Sequence, residues 1–182
     1  MALTIADTYY LKAKSAAGYD WDEVCESLNY ALSYDENHCA ALCLLGKIYA
    51  GNLNQYSEAF DCFDKVIAIN NTYIDVYPIY AKYLILADEI EKATKLIEFA
   101  FTIKGISKGS LFWLSAYAAE IKENYKAGLI HLEKAKKHAF NDDYYSFIED
   151  EENRIKKKLK LNKSKVKKKK TSSKKRRKKK KN

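Results

Sequence analysis

His38, Cys39 and Cys43 are the residues of this sequence whose types and spacing most suggest metal chemistry. Cys39 and Cys43 stand on one face of any helix that holds them. A structural zinc site needs four such ligands, usually with a tightly spaced cysteine pair in a loop. Here the pair falls inside an apolar segment, 37–51, that reads as a helix. The expected role is therefore that of small apolar side chains, with no metal. His131 and His138 share a later helical face with no cysteine or carboxylate pattern beside them, and read as partly exposed surface histidines. No glycine-rich phosphate loop, nucleophile elbow, paired metal-binding histidines or kinase-like motif occurs. The carboxylates fit helix caps or solvated faces, so the sequence is expected to be non-enzymatic, with no catalytic residue and no cofactor.

The other conspicuous chemistry is charge. The formal net charge of +9 conceals a segregation: 18 of the 33 Lys and Arg residues lie from Lys156 onward, where there is no acid. The remaining 15 share the rest of the chain with all 24 acids, which leaves a body of −9 carrying a tail of +18. The densest positions are Lys167, Lys168, Lys169 and Lys170, then Lys174, Lys175, Arg176 and Arg177, then Lys178, Lys179, Lys180 and Lys181. Lysine is a point charge without a bidentate fork, and the tail has no aromatic residue to stack on bases. Any RNA or other polyanion is expected to bind there without sequence preference. Six to eight phosphate contacts on single-stranded RNA imply a log–log salt slope of about −4 to −6. A solubilising extension, or one that folds back on the acidic body, are the alternatives. In a eukaryotic host the run would also read as a nuclear-import signal.

The length of 182 residues accommodates one domain with a disordered extension. The cysteines lack the spacing of a small secreted domain, which fits a reducing compartment. The N-terminus has no basic region ahead of an apolar stretch, and Asp7 comes early, which argues against a secretory signal. The most apolar run, 77–87, is interrupted by Lys82 and is too short to span a bilayer. The expectation is a cytoplasmic protein without membrane insertion, or a nuclear one if eukaryotic.

Charge and candidate ligands do not organise the body; a repeat does. The segments 20–35, 55–70, 89–104 and 124–139 align in four columns. Trp21, Tyr56, Ile90 and Tyr125 form the first, and Val24, Ala59, Ala93 and Gly128 the second. Leu28, Phe63, Ile97 and Leu132 form the third, and Ala31, Val66, Ala100 and Ala135 the fourth. Within each segment the columns are three, four and three residues apart, which is one helical stripe. Large and small side chains alternate along it, so neighbouring helices can interlock. Ahead of each lies another apolar segment: 4–17, 37–51, 74–87 and 109–122. Asp20 with Glu23, Asp88 with Glu91, and Thr4 with Asp7 have capping-box spacing. Pro78 falls in the first turn of its helix, where a missing N–H costs little.

Four helix pairs with a period near 34 residues resemble the tetratricopeptide repeat family. The match is clearest in the second repeat, through Leu42, Leu45, Gly46 and Tyr49 followed by Tyr56, Ala59 and Phe63. Repeat boundaries are expected near 4–36, 37–72, 73–107 and 108–141. The resemblance implies an all-α, right-handed superhelix in which Gly46 marks the close crossing of a pair. Ala81 and Ala116 take that role in repeats three and four, and the first repeat offers Lys12.

The resemblance also implies a groove lined by the first helix of each pair. Its positions carry over to Tyr9 and Ala13; Ala40, Cys43, Lys47 and Ala50; Asp75, Pro78, Lys82 and Ile85; and Ser110, Trp113, Tyr117 and Glu120. Lys47 and Lys82 occur without the asparagines of the family's carboxylate clamps. The groove reads as aromatic and apolar, suited to an amphipathic helix or an apolar-anchored peptide. Trp113 and Tyr117 could equally pack against the next helix.

Residues 142–161 read as a terminal capping helix with Tyr145, Ile148, Ile155 and Leu159 on one face, interrupted by Glu152. Asp150–Arg154 and Glu152–Lys156 are spaced as ion pairs. The disordered Lys-rich tail is expected over 162–182. Together these readings favour a non-catalytic adaptor that binds an unidentified protein partner in its groove. The alternative is an RNA- or ribosome-associated factor held by its tail.

Overall fold

A computed structural model describes the backbone of residues 3–179 and the side chains of residues 3–162. Among the described residues there are nine helices and no strand. They fall into two compact units, Met1–Ile106 and Ser107–Asn182.

The first unit holds three antiparallel pairs: α1 (Ile5–Ala16) with α2 (Trp21–Tyr34), α3 (Cys39–Gly51) with α4 (Tyr56–Ile69), and α5 (Val76–Leu86) with α6 (Ile90–Ala100). Its core is the repeat stripe. Val24, Leu28 and Ala31 of α2, Ala59, Phe63 and Val66 of α4, and Ala93, Ile97 and Ala100 of α6 are all buried. Gly46 lies so close to α4 that a Cβ there would sit 2.6 Å from Phe63 Cε1. Leu45 and Tyr49, the other packing positions of α3, are half-buried. Pro78 occupies the first turn of α5, as its missing donor requires.

The α1 cap is complete: Thr4 Oγ1 accepts from the Asp7 amide at 3.0 Å, and Asp7 accepts from the Thr4 amide at 2.9 Å. The other two expected boxes differ. Asp20 caps α2 by accepting from the Glu23 amide at 3.0 Å, but Glu23 does not reciprocate. Its carboxylate instead accepts from Ser27 Oγ at 2.5 Å and pairs with Lys12 at 2.9 Å. Asp88 caps nothing ahead of it; Glu89 is the N-cap of α6 and makes no side-chain cap bond. Asp88 instead ends α5 in the left-handed region, φ 63°, with the Glu89 amide donating back to the Leu84 carbonyl at 2.8 Å. That is a Schellman closure with an aspartate in glycine's usual place. Asn54 (φ 56°) and Glu123 (φ 55°) end α3 and α7 in the same conformation.

The first repeat differs in register. Lys12 projects outward, its side chain 57% exposed, while Ala13 is fully buried. Ala13 therefore takes the small-residue position filled by Gly46 and Ala81 in the following repeats. The α1–α2 turn is one residue shorter than the α5–α6 turn: Ala13 to Val24 spans eleven positions, Ala81 to Ala93 twelve. An ungapped alignment therefore selects Lys12, and the packing selects its neighbour.

The second unit holds α7 (Lys108–Ile121), α8 (Tyr125–Lys136) and α9 (Asp142–Lys179). Ala116, Leu132, Ala135, Ile148 and Ile155 form its core. A Cβ on Gly128 would lie 3.2 Å from Ile155 Cδ1 and 3.4 Å from the Ala116 carbonyl, so α8 can be close to both neighbours. Tyr145 does not share the buried face of α9 and is 42% exposed. Tyr144 packs against the core instead, stacked on Phe140 with ring centroids 5.3 Å apart. Glu152 pairs with Lys156 as spaced and also with Lys136, at 2.7 Å, which accommodates a carboxylate on the inner side. Arg154 turns from Asp150 to Glu151 and Glu120. The helical backbone is described as far as Lys179. The side chains of the expected tail, from 163 on, lie outside the described residues.

Candidate functional site

The face shared by α1, α3 and α5 in the first unit carries a recess of about 310 Å³. Residues from all three helices set its outline. Tyr10 and Lys14 come from α1, Cys43 and Lys47 from α3, and Pro78 and Ile79 from α5. Tyr73 and Asp75 close it from the segment that leads into α5. The i,i+4 spacing of Tyr10–Lys14 and of Cys43–Lys47 puts an inner residue and a lysine on the same stripe of each helix.

The inner surface is neutral. Burial pushes the Cys43 thiol up to about 12, so it remains a protonated, apolar group. Burial likewise pushes the Tyr73 phenol up, reinforced by neighbouring Cys43 and Asp75. Neither group offers a nucleophile or base near neutral pH. Cys39, also raised chiefly by burial, is half-buried beside them.

His38 has a structural role. Its Nδ1 accepts from the Ala41 amide at 3.1 Å and so caps α3. That leaves the proton of the neutral ring on Nε2, which donates to Asp7 Oδ1 at 3.1 Å. Asp7 is thereby held at about 2 by its bonds from Thr4 and then by His38. One aspartate caps α1 and ties it to the start of α3. Among the described residues no group of His, Cys, Asp and Glu is arranged to hold a metal ion. His131 is half-buried, and that burial lowers its pKa. His138 is exposed and stacks on Phe112.

The residues that the repeat pattern marked for a groove separate into three groups. Cys43, Lys47 and Pro78 line the recess, and Lys82 lies one turn beyond Pro78, exposed, over the Tyr83 ring. Tyr9 is elsewhere: its ring stacks on Tyr30 and Tyr34 of α2, with centroids 5.0 and 5.9 Å away. Its place is taken by Tyr10, because the buried Ala13 shifts the whole helix by one position. Ile79, Leu44 and Tyr73 were not singled out from the sequence either. A lysine at a close helix crossing was the available signal that the first repeat was misaligned.

Trp113 and Tyr117 belong to the second unit, where α9 contacts the corresponding stripe of α7. Trp113 Nε1 donates to Glu151 Oε2 at 3.0 Å, and its ring meets Phe147 edge-on. Tyr117 stacks on Trp113 with centroids 6.2 Å apart. Glu120, only 4% exposed, pairs with Arg154 at 2.8 Å and Lys158 at 2.7 Å. The polyanion-binding lysines and arginines expected over 167–181 fall on side chains outside the described residues. No helix among the described residues is long and apolar enough to cross a membrane.

Solved structures share this arrangement of helix pairs. A thermophilic TPR protein of Thermus thermophilus, TTC0263, matches with a TM-score of 0.67 at 13% identity, over 85% of this chain and 81% of that one. MamA from Desulfovibrio magneticus RS-1 matches with a TM-score of 0.62 at 18% identity, over 90% of this chain and 98% of that one. PilW, described as a widely conserved type IV pilus biogenesis factor, matches with a TM-score of 0.68 at 14% identity. That match covers 75% of this chain and 63% of PilW, so this chain spans less than two thirds of it. The chain thus has the tetratricopeptide-repeat fold. Comparison of the sequence with protein-family models and with curated proteins finds no match.

Proposed function

We propose that this chain is a non-catalytic adaptor, and that the α1, α3 and α5 face of its first unit holds a segment of a protein partner. The observation that carries the reading is the recess built from successive first helices, with an apolar interior and charges at its edge. Its titratable inner groups, Cys43 and Tyr73, are pushed by burial toward their neutral forms, which suits contact rather than catalysis. The fold supports the same role by analogy, since it presents extended surfaces from stacked helices. The four free cysteines agree with a reducing, cytoplasmic setting.

Site-specific photo-crosslinking tests the reading. A benzophenone amino acid placed at Tyr10 or at Ile79 should capture the same partner. The same group at Glu58, an exposed position of α4, should not. Equal capture from all three positions would refute the assigned face.

A further inference from the structure

The first pair ends its stack on aromatic rings. Tyr9, Leu42 and Tyr77 hold equivalent places, each four positions before the small residue of its helix, Ala13, Gly46 and Ala81. Helices α3 and α5 each pack against the pair before them, and Leu42 and Tyr77 are buried. Among the described residues no pair precedes α1. Tyr9 is covered instead by the stacked rings of Tyr30 and Tyr34 from α2. Those two rings remain 45% and 58% exposed, so aromatic faces meet solvent where a terminal repeat ordinarily turns a polar face outward.

The same surface is acidic. Asp22, Glu26, Tyr30 and Tyr34 follow at four-residue intervals, which makes one row along α2, and all four are exposed. Residues 20–36 hold six acids and no base. Asp35 and Glu36 come at the C-terminal end of α2, where the helix dipole disfavours negative charge and the last turn has no basic residue. A cation brought to this end would relieve that arrangement. Helix α4 differs: Glu58, Asp61 and Asp64 are exposed there, but Tyr56 and Phe60 are half-buried and Phe63 is buried.

We infer that the aromatic and acidic row of α2 receives residues 163–182 of a second copy of this chain. That segment holds twelve lysines, two arginines, no acid and no aromatic residue. It has little to insert into an apolar recess, but it complements a row of carboxylates and rings. An ammonium group is attracted to a ring face, and a lysine stem covers apolar surface while its charge stays in water. The chain already makes such contacts: Lys14 lies 5.9 Å over Tyr10, Lys82 5.9 Å over Tyr83, and Lys136 5.2 Å over Tyr145. The spacing also agrees. Residues four apart on a helix rise about 6 Å, and alternate residues of an extended chain lie about 6.6 Å apart on one side. Every second lysine of a run such as Lys167–Lys170 can therefore meet successive members of the row. The first unit stacks pair on pair, and the chain leaves it after α6, at the opposite end from this face, which favours the tail of another copy. The contact does not use the recess on the first helices and stands or falls apart from the adaptor reading.

Sedimentation equilibrium of the nuclease-treated full chain at physiological ionic strength is the test. The average mass should rise with protein concentration and return to that of the monomer in about 1 M salt, where the Debye length is about 3 Å. Asp22→Lys with Glu26→Lys should weaken association about tenfold or more. Tyr30→Ala with Tyr34→Ala, which leaves the charge unchanged, should weaken it about fivefold. Glu58→Lys with Asp61→Lys makes the same charge change on α4 and should weaken it less than about twofold. A tail variant combining Lys174→Glu, Lys175→Glu, Arg176→Glu, Arg177→Glu, Lys178→Glu and Lys179→Glu should be monomeric alone. Mixed with the Asp22→Lys, Glu26→Lys variant it should form a one-to-one complex, since one supplies an intact face and the other an intact tail.

A chain that stays monomeric at every concentration would overturn the inference, as would equal losses from the α2 and α4 charge reversals. Association that persists in the tail variant would mean that face packs on face, and a mixture that fails to associate would remove the pairing of face with tail. Association seen only before nuclease treatment would make RNA the occupant of the tail and leave the face without it.

Discussion

The first helices of the two units carry the same stripe to different ends. In the first unit, α1, α3 and α5 leave that stripe open, and its lysines have no partner among the described residues. In the second, α9 contacts the stripe of α7: Trp113 donates to Glu151, and Glu120 is buried between Arg154 and Lys158. Both surfaces mix aromatic rings with charge, so composition does not distinguish them. What differs is whether another helix has already satisfied the charges. A stripe whose ions are paired within the chain contributes to stability, and one whose ions are unpaired contributes little.

Removing charge from each stripe should therefore have unequal consequences, and this is the largest expected effect. Arg154→Ala with Lys158→Ala strands a buried carboxylate on α7 and should cost about 3 kcal/mol, the low end for breaking a buried pair because both cations are partly exposed. Adding Glu120→Gln should restore much of the loss, since an amide is far cheaper than a charge to leave unpaired. Lys14→Ala with Lys47→Ala should change stability by less than about 0.5 kcal/mol. Urea denaturation of the three variants reads all of this. A cost in the first unit comparable to that in the second would mean its lysines are structural after all.

The glycines extend the comparison at smaller magnitude. Gly46→Ala would put a methyl 2.6 Å from Phe63 Cε1 and 2.9 Å from Cζ, on a ring that is itself fully buried. The ring cannot yield freely, and a loss of about 1–3 kcal/mol is expected. Gly128→Ala meets Ile155 Cδ1 at 3.2 Å, a methyl at the end of a side chain with rotamer freedom. Its crowding should be offset by the helix propensity that alanine gains, about 1 kcal/mol, for a net change near zero. Equal losses at the two sites in thermal denaturation would show that α8 and α9 are as rigidly packed as α3 and α4.

The second helices were legible because their burial follows directly from spacing. Small and large residues alternating at three, four and three positions leave one stripe, and every member of its last three columns is buried. The first helices were less legible, for a reason that lies in the turns. A one-residue deletion between α1 and α2 leaves the α2 columns intact while rotating α1, so Lys14 and Tyr10 appeared one position away from the face they occupy. Short polar side chains were ambiguous in another way. Asp88 suits an N-cap and a left-handed C-terminus equally well, and His38 suits a ligand and a cap. In each case the decision came from backbone that the residue itself does not determine. Trp113 shows the limit on the site: its position in the repeat placed it on the stripe, and only the packing of α9 decided that the stripe was occupied there.

The smallest expected effect comes from the turns that close α5 and α7. Asp88 and Glu123 both sit in the left-handed region, at φ 63° and 55°, one in each unit. Each is followed by an amide that donates five residues back, Glu89 to Leu84 and Asn124 to Ala119, both at 2.8 Å. The conformation costs an ordinary residue about 1–2 kcal/mol, and aspartate less, since its short side chain tolerates it. Glycine removes that strain but brings its own loss of freedom on folding. Glu123→Gly should therefore stabilise the second unit by about 0.5–1 kcal/mol, while Asp88→Gly should change the first by less than about 0.3 kcal/mol. Exchange of the Asn124 and Glu89 amides reports each turn locally, so slower exchange is expected at Asn124 alone. Equal slowing at both would mean that aspartate is as strained as glutamate in this closure, and that the two turns differ only in sequence.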